Sequence, residues 1–275
     1  MHRVWLVLLF LSCPVVSLAD TVTLRADEWY PNNGDPDAER PGYMIELAQT
    51  IWGTAGYDVD YRLMPWERAL EATRQGNIDC VVGVTPDEAP DFIFPEEAQG
   101  SSEPHMYTEK SSVWNYQGIE SLKDVRLGVI GGYAYDMGEL DAYIAEQQEM
   151  TSGRIQIMKG NSALEQNIRK LLSGRIDVLA ESPSVMATKM AEMGLNDQIR
   201  DAGSIGNPVL IYIGCTPTTA RSLELTRLLS AGIREMRDNG RLESLLLQYN
   251  LTDWYRAPPE SGNSQTEGSP PETAE

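Results

Sequence analysis

Hydrophobic residues follow two spacings along this chain, one typical of amphipathic helices and one typical of short buried strands. One unit occurs twice, at residues 67–84 and 165–180: an amphipathic helix, a glycine, the dipeptide Ile-Asp and an apolar run. Gly76 and Gly174 stand where helices commonly end. A unit that recurs in this way indicates a duplicated architecture.

The similarity between the two halves extends toward the N-terminus of each unit. In both halves the pattern predicts a strand, a turn with aromatic residues, a helix and a second strand before the unit begins, so each half reads βαβαβ. These elements are predicted at residues 22–25, 43–52 and 57–63 in the first half and at 126–130, 136–147 and 154–158 in the second. Strands that alternate with helices of this length predict parallel sheets covered on both faces.

The remaining elements predict how the two halves are joined. A helix is expected to begin at Ser182-Pro183, because proline is favoured at the first helical position. A strand at 209–214 and helices at 219–238 and 242–249 follow the two βαβαβ units and belong to neither of them. If they return to the first half, the chain crosses twice between two lobes. Two lobes joined in this way form a hinged clamp, with a ligand cleft at the carboxyl ends of the strands.

The expected fold is therefore α/β, with two βαβαβ-based lobes joined by a two-strand hinge. Lobe I is predicted to comprise residues 20–103 and 208–256, and lobe II residues 104–207. The irregular stretches at 96–109 and 203–208 are the predicted crossings, because their turn residues interrupt the periodic pattern.

Both ends of the chain differ in composition from the predicted lobes. Residues 1–19 combine a basic start, an apolar run and a small-x-small sequence at 17–19, which is typical of a cleaved signal peptide. We expect the mature protein to begin at Asp20 and to be periplasmic; lipid attachment at Cys13 is the alternative. Residues 257–275 consist largely of Pro, Ser, Glu and Gly, and this composition predicts disorder.

The net charge of the chain indicates which kinds of molecule it is suited to bind. Its formal net charge is −19, which disfavours nucleic acid because phosphates are neutralised by Lys and Arg. The same acidity favours solubility and cationic small molecules. No metal or cofactor is expected, since the predicted mature chain has one histidine, His105, with two separated cysteines and no nucleotide-binding or hydrolase motif.

Cys80 and Cys215 both fall on predicted strands of lobe I. The pattern favours two buried thiols, which behave as small apolar side chains. An oxidising compartment also permits a disulfide between them, so that alternative stays open. If their strands run antiparallel, both cysteines lie at the ends remote from the hinge, and a Cα separation above about 7 Å would exclude a bridge.

A series of short motifs resembles the extracytoplasmic solute-binding proteins of family 3, the polar amino acid group. The motifs lie at residues 29–31, 42–48, 65–70, 76–79, 85–86, 92–95, 121–129, 174–177 and 236–242. Each motif is short, but their order and spacing match over nearly all of residues 20–255. The resemblance implies the type II periplasmic binding protein fold, with a ligand held between the lobes.

This resemblance also implies a function. A monomeric, non-catalytic protein would capture a small polar ligand, amino-acid-like or cationic, and pass it to an ABC-type permease. One alternative is a sensing module that acts on a membrane receptor. Another is an enzyme similar to a cyclohexadienyl dehydratase, in which Glu181 or Glu28 would do acid–base work.

Two positions show where this sequence departs from the family pattern and where it matches it. Members that bind amino acids usually carry an arginine three residues after the threonine matched by Thr85, and that arginine holds the ligand carboxylate. Here that position is Glu88, which cannot do so. Glu181 matches the acidic residue that binds the ligand ammonium in the family. Arg40 and Arg68 are the remaining cations near the predicted cleft, and either could bind an anionic group.

The other candidate ligand-binding residues follow strands or begin helices at the predicted cleft: Asp27, Glu28, Trp29, Tyr30, Trp66, Thr85, Gly132 and Tyr133. Aromatic faces offer apolar area and attract cations. The Thr85 hydroxyl can donate a hydrogen bond, and backbone N–H groups near Gly132 can hold an anion at a helix start. The alternatives are loop packing for the aromatic residues, solvated turns for the acidic ones and a plain turn for the glycine.

Overall fold

The structure is a computed structural model that describes residues 20–150 and 152–255. The predicted signal peptide, with Cys13, and the predicted tail at 257–275 lie outside the described residues. None of the helices in the described part of the chain has the length and hydrophobicity that a membrane crossing requires.

Strands and helices alternate through most of the described chain. The strands are β1 Asp20–Ala26, β2 Tyr57–Leu63, β3 Cys80–Val84, β4 Gly100–Ser102, β5 His105–Glu109, β6 Leu127–Ile130, β7 Ile155–Met158, β8 Val178–Glu181, β9 Ile199–Ser204 and β10 Val209–Cys215. The α-helices are α1 Tyr43–Thr54, α2 Trp66–Arg74, α3 Glu139–Glu149, α4 Ala163–Leu172, α5 Pro183–Met193, α6 Arg221–Asp238 and α7 Arg241–Leu247, with a 3₁₀ helix at Ile119–Leu122. The βαβαβ order predicted for each half is confirmed.

The strands form two five-stranded sheets with matching topology. The first has the order β2-β1-β3-β10-β4, in which β1 pairs parallel with β2 and β3, and β10 pairs antiparallel with β3 and β4. The second has the order β7-β6-β8-β5-β9, in which β6 pairs parallel with β7 and β8, and β5 pairs antiparallel with β8 and β9. We call the part that holds the first sheet lobe I and the part that holds the second lobe II.

The chain crosses between the two sheets twice. The first crossing runs from β4 to β5 and the second from β9 to β10. β10, the strand that follows residue 208, therefore belongs to the first sheet. The sequence pattern did not predict β4, β5 or β9. It predicted parallel pairing within each βαβαβ unit and considered antiparallel pairing only for the strands that carry Cys80 and Cys215, which the structure shows as the antiparallel pair of β3 and β10.

Two structural details depart from the sequence pattern. α3 begins at Glu139 and not at Asp136, because the carboxylates of Asp136 and Asp141 accept the backbone N–H groups of Tyr135, Met137 and Gly138 in the preceding turn. Met137 takes a left-handed conformation in this turn, with φ 53°. Side chains that bond to nearby backbone in this way compete with helix formation.

Cys80 and Cys215 form a disulfide in the structure, with a Cα–Cα distance of 4.0 Å. They are directly opposite each other in the antiparallel pair of β3 and β10, at the ends remote from the crossings. The two free thiols favoured by the sequence pattern are therefore not what the structure contains. The pattern could not decide this, because it does not fix the register between two strands 135 residues apart.

The core of lobe I lies between the first sheet and helices α1 and α6. Trp52 of α1 is fully buried beside Leu229 and Ile233 of α6. The Trp52 indole donates a hydrogen bond to the carbonyl of Leu225, so the one polar atom of this side chain is satisfied. Lobe II has its own clusters on the two faces of the second sheet. Each lobe thus has its own core, and the site lies between them.

Candidate functional site

The carboxyl ends of four parallel strands face a cleft between the lobes. Asp27 follows β1 and Thr85 follows β3 in lobe I, while Tyr133 follows β6 and Glu181 ends β8 in lobe II. Side chains from both lobes line a partly open cavity of about 50 Å³ there. Clefts at this edge of an α/β sheet are where such folds bind ligands.

Three carboxyl groups line the cavity: Asp27, Glu88 and Glu181. Asp27 and Glu181 are 8% and 3% exposed, and Glu88 is partly buried. Burial raises the pKa of each of them to about 7, although hydrogen bonds to their oxygens work in the opposite direction. Asp27 also raises the pKa of Glu181 through charge repulsion. The cavity therefore holds acidic groups that titrate near neutral pH.

Each carboxyl accepts a hydrogen bond from an aromatic side chain. Trp29 of lobe I donates its indole N–H to Glu181 Oε1 of lobe II at 2.9 Å. In the reverse direction, the Tyr133 hydroxyl of lobe II donates to Asp27 Oδ2 of lobe I at 2.6 Å. Trp66 donates to Glu88 Oε1 at 3.2 Å. The first two bonds join the lobes in a closed arrangement, whereas the Trp66–Glu88 bond lies within lobe I.

Glu181 keeps one oxygen free for a further partner. Its Oε1 accepts hydrogen bonds from Trp29 and from the backbone N–H of Ser182. Its Oε2 is buried and has no hydrogen-bond partner, and the same is true of the neighbouring Ser182 hydroxyl. Both residues line the cavity. A buried oxygen without a partner is costly, so this wall of the cavity is suited to a ligand that donates hydrogen bonds.

Ion pairs at the edge of the cleft add to the contact between lobes. Lys189 of α5 binds Glu28 at 2.6 Å, and Lys159 binds Glu67 of α2 at 2.7 Å. Glu28 therefore joins the two lobes and does not line the cavity. Thr85, which does line it, lies within hydrogen-bond distance of Glu88 Oε2 and of the Met137 sulfur, 3.4 Å and 3.1 Å from its Oγ1.

The structure places three further candidates away from the cavity. Arg40 is exposed, donates to the carbonyl of Gln248 at 3.0 Å and lies over the ring of Tyr249. Tyr30 also packs on Tyr249, with ring centroids 5.8 Å apart. Arg68 is exposed and lies beside Glu71 on another face of α2. The anion-binding roles predicted for Arg40 and Arg68 thus have no support in their positions.

The position of Arg68 follows from helix geometry. Trp66 begins α2 and faces the cavity. Two residues rotate the side-chain direction by about 200° around an α-helix, so Arg68 points the other way. The expected position of Arg68 near the cleft is therefore not what the structure contains.

Gly132 is where the backbone of lobe II comes close to lobe I. Its φ is +81°, and an added Cβ would lie 2.7 Å from Glu67 Cγ and 3.3 Å from Trp66 Cδ1. Its carbonyl accepts a hydrogen bond from the Trp66 indole at 3.0 Å. The backbone at Gly132 therefore contacts the facing lobe through an acceptor, whereas its predicted role was to hold an anion through N–H groups.

Substituting Gly132 with alanine is expected to favour the open arrangement of the lobes. The added methyl group meets α2 only when the cleft is closed, and overpacking of this kind costs about 1–3 kcal/mol. Small-angle scattering of the ligand-free protein should therefore give a larger radius of gyration. Gly160→Ala is the matched control, because Gly160 has a similar φ of +91° and open space around it. An equal change in both variants would contradict the proposed contact.

Several cavity residues were not among the sequence-based candidates. Glu88 was noted only as a departure from the family pattern, although it lines the cavity and accepts the Trp66 indole N–H. Ser182 was expected only to mark the start of a helix, and its hydroxyl makes no capping hydrogen bond. Tyr135 lines the cavity beside Tyr133. Its position could have indicated a cleft residue, because Tyr135 lies on the same turn as Tyr133 and that turn follows the end of β6.

Comparison with known proteins identifies what this chain is similar to. The family described as bacterial extracellular solute-binding proteins, family 3, matches residues 23–252. No sequence match was found among curated proteins. Solved structures with the same fold include a histidine kinase sensor domain with similarity to periplasmic binding proteins, at TM-score 0.68 and 17% identity, covering 84% of this chain and 95% of that one.

Two further structures are binding proteins with bound arginine. An ancestral arginine-binding protein has a TM-score of 0.66 and 17% identity, and the match covers 83% of this chain and 97% of that one. An amino acid ABC transporter substrate-binding protein from Streptococcus pneumoniae has a TM-score of 0.65 and 16% identity, covering 84% and 94%. At these identities the similarity shows the fold, which is that of the type II periplasmic binding proteins.

Proposed function

The chain belongs to the bacterial extracellular solute-binding proteins of family 3, and on that premise we propose that it captures a small polar ligand, amino-acid-like or cationic, in the cleft between its lobes. It then passes the ligand to an ABC-type permease. The observation that carries the proposal is the cavity between the lobes, where both lobes contribute polar groups and Glu181 Oε2 has no partner. A ligand that contacts both lobes favours the closed form.

The proposed ligand-binding residues come from both lobes. They are Asp27, Trp29, Trp66, Thr85, Glu88, Tyr133, Glu181 and Ser182, all of which line the cavity. Closure would occur about the two crossings between the sheets, with lobe I at 20–103 and 208–256 and lobe II at 104–207. Sheet membership supports these boundaries. We propose a periplasmic, monomeric protein without catalytic activity, and the family's description as extracellular solute-binding proteins supports this proposal.

A sensing role is the second candidate, because a histidine kinase sensor domain has the same fold. In that case the closed form would be recognised by a membrane receptor and not by a permease. Both roles require the same binding step. Uptake of a radiolabelled ligand by cells with and without this protein separates them, since a sensor does not change the uptake rate directly.

The binding step is tested by thermal unfolding of the protein from Asp20 onward with amino acids, polyamines, betaines, organic acids and short peptides. A ligand that binds only the folded state at 100 times its Kd adds about 2.7 kcal/mol of stability. We expect one chemical class to raise the unfolding midpoint, and Glu181→Gln to abolish that rise. Glu149→Gln is the control, because Glu149 is exposed at the end of α3. A folded protein that responds to no class would contradict the proposed function.

A further inference from the structure

We propose that the cleft accepts a compact organic cation that carries no carboxylate group. This inference rests on the proposed binding function and narrows its ligand. It follows from the charges that line the cavity, from the unpartnered groups on its wall and from its size.

The charges that line the cavity are all acidic. Asp27, Glu88 and Glu181 contribute carboxyl groups, and no Lys, Arg or His among the described residues lines it. A ligand carboxylate would be removed from water and placed among three acids, with no cation to compensate for the lost hydration. The two solved relatives with bound arginine hold an amino acid, so the expected ligand differs from theirs by the loss of the carboxylate.

Cations close to the cleft already have acidic partners on the facing lobe. Lys189 binds Glu28 of lobe I as well as Glu192 of its own helix, and Lys159 binds Glu67 of lobe I. Neither lysine lines the cavity. Moving one of them to a ligand carboxylate would break an ion pair that joins the lobes in the closed form, so neither is a ready replacement for an anion-binding arginine.

The walls of the cavity match a cationic N–H donor. Glu181 Oε2 and the Ser182 hydroxyl are buried, unpartnered and adjacent, so an ammonium or guanidinium group could satisfy both. Trp29, Trp66 and Tyr133 supply aromatic surface around them. Aromatic rings attract cations, and an aromatic wall also covers the apolar part of an amine.

The size of the cavity restricts the ligand further. The cavity volume of about 50 Å³ has room for roughly four water molecules. That volume suits a short alkylamine, an amino alcohol or a small diamine. A ligand of this size can contact carboxyls of both lobes at once, because Asp27 and Glu181 face the same cavity from opposite lobes.

The test uses pairs of compounds that differ by one carboxylate: ethanolamine and serine, putrescine and ornithine, cadaverine and lysine. Calorimetric titration into the protein from Asp20 onward gives the Kd of each compound. We expect at least one amine to bind about 100-fold tighter than its amino acid, since desolvating an unpaired carboxylate costs several kcal/mol. Tighter binding of the amino acids would overturn the inference and leave the proposed binding function intact.

Two variants connect the preference to the cavity. Glu88→Gln is expected to weaken binding of the preferred amine by on the order of 100-fold, because it removes one buried carboxylate partner. Asp87→Asn is the matched control, because Asp87 is the exposed neighbour of Glu88 and does not line the cavity. Equal effects of the two variants, or no binding by any amine while another solute class binds, would overturn the inference. No response to any solute would instead overturn the proposed function itself.

Discussion

Removing the disulfide between Cys80 and Cys215 is expected to lower the free energy of unfolding by about 4–5 kcal/mol. The bridge closes a loop with a sequence separation of 135 residues, and the restriction it places on the unfolded chain grows with loop length. Urea unfolding of the double variant Cys80→Ala, Cys215→Ala measures the loss. Both cysteines are fully buried, so the double variant also avoids an isolated thiol in the core.

Ligand binding provides the control for this experiment. The bridge lies at the ends of β3 and β10 that are remote from the crossings, and neither cysteine lines the cavity. The double variant should therefore bind ligand with unchanged affinity at temperatures where it is folded. A loss of affinity without a loss of stability would contradict this division of roles. Unchanged stability would show that the bridge does not restrict the unfolded chain.

The ligand-free protein is expected to lose stability as the pH rises from about 4 to about 7. Asp27, Glu88 and Glu181 have pKa values of about 7 when folded, whereas carboxyls in unfolded chains titrate near 4. Between these values the folded state keeps protons that the unfolded state has released, so the free energy of unfolding falls with rising pH. The stability that these three protonated carboxyls contribute is complete below about pH 4. It is lost once the pH has passed their folded-state pKa values of about 7.

Within residues 20–150 and 152–255, no cation lines the cavity opposite these carboxyls to reverse this sign. Tyr61 and Tyr107 interact with Asp27 and Glu181, and burial raises the pKa of both hydroxyls. The other titratable groups around these carboxyls are the hydroxyls of Tyr133 and Tyr135 and the carboxyl of Glu28, with Lys189 bound to Glu28 at the edge of the cleft. Burial holds the pKa of both tyrosines above its ordinary range, so they stay neutral through this pH window. Each carboxyl can add a slope of up to about 1.4 kcal/mol per pH unit.

Calorimetric unfolding between pH 5 and pH 8 measures this dependence. The midpoint should fall with pH, and Glu88→Gln should make the fall shallower because it removes one titrating group. Asp87→Asn, which changes an exposed carboxylate one residue away, should leave the slope as it is. Opening of the cleft hydrates the same groups, so scattering should also record a larger radius of gyration at high pH. A midpoint that rises with pH would contradict the assignment.

The repeated sequence unit predicted the elements that depend on local periodicity. β1, β2, β3, β6, β7 and β8 and the helices between them follow apolar patterns that each segment carries by itself. β4 and β9 do not, because Gly100–Ser102 and Ile199–Ser204 contain mainly small or polar residues and owe their strand form to pairing with distant partners. Pairing across a sheet is a tertiary effect, so propensity does not predict it.

The candidate site was predictable to a similar degree. Residues that directly follow or end a strand, such as Asp27, Thr85 and Glu181, line the cavity as the fold class implies. Residues inside a helix or a long loop, such as Arg68 and Arg40, do not, because their direction depends on helix phase and on loop packing. The sequence showed Glu88 as an acidic residue where the family pattern has arginine. Its place in the cavity wall depends on contacts with Trp66 and with the facing lobe, which the sequence does not show.

The double crossing of the chain has a consequence for the order in which the molecule can form. All five strands of the second sheet lie in one continuous segment, between His105 and Ser204. The first sheet places β10 between β3 and β4, so it lacks an inner strand until Val209–Cys215 has arrived. Contacts distant in sequence form late. The second sheet can therefore assemble before the C-terminal part of the chain has been synthesised. The first sheet remains incomplete until β10 is available.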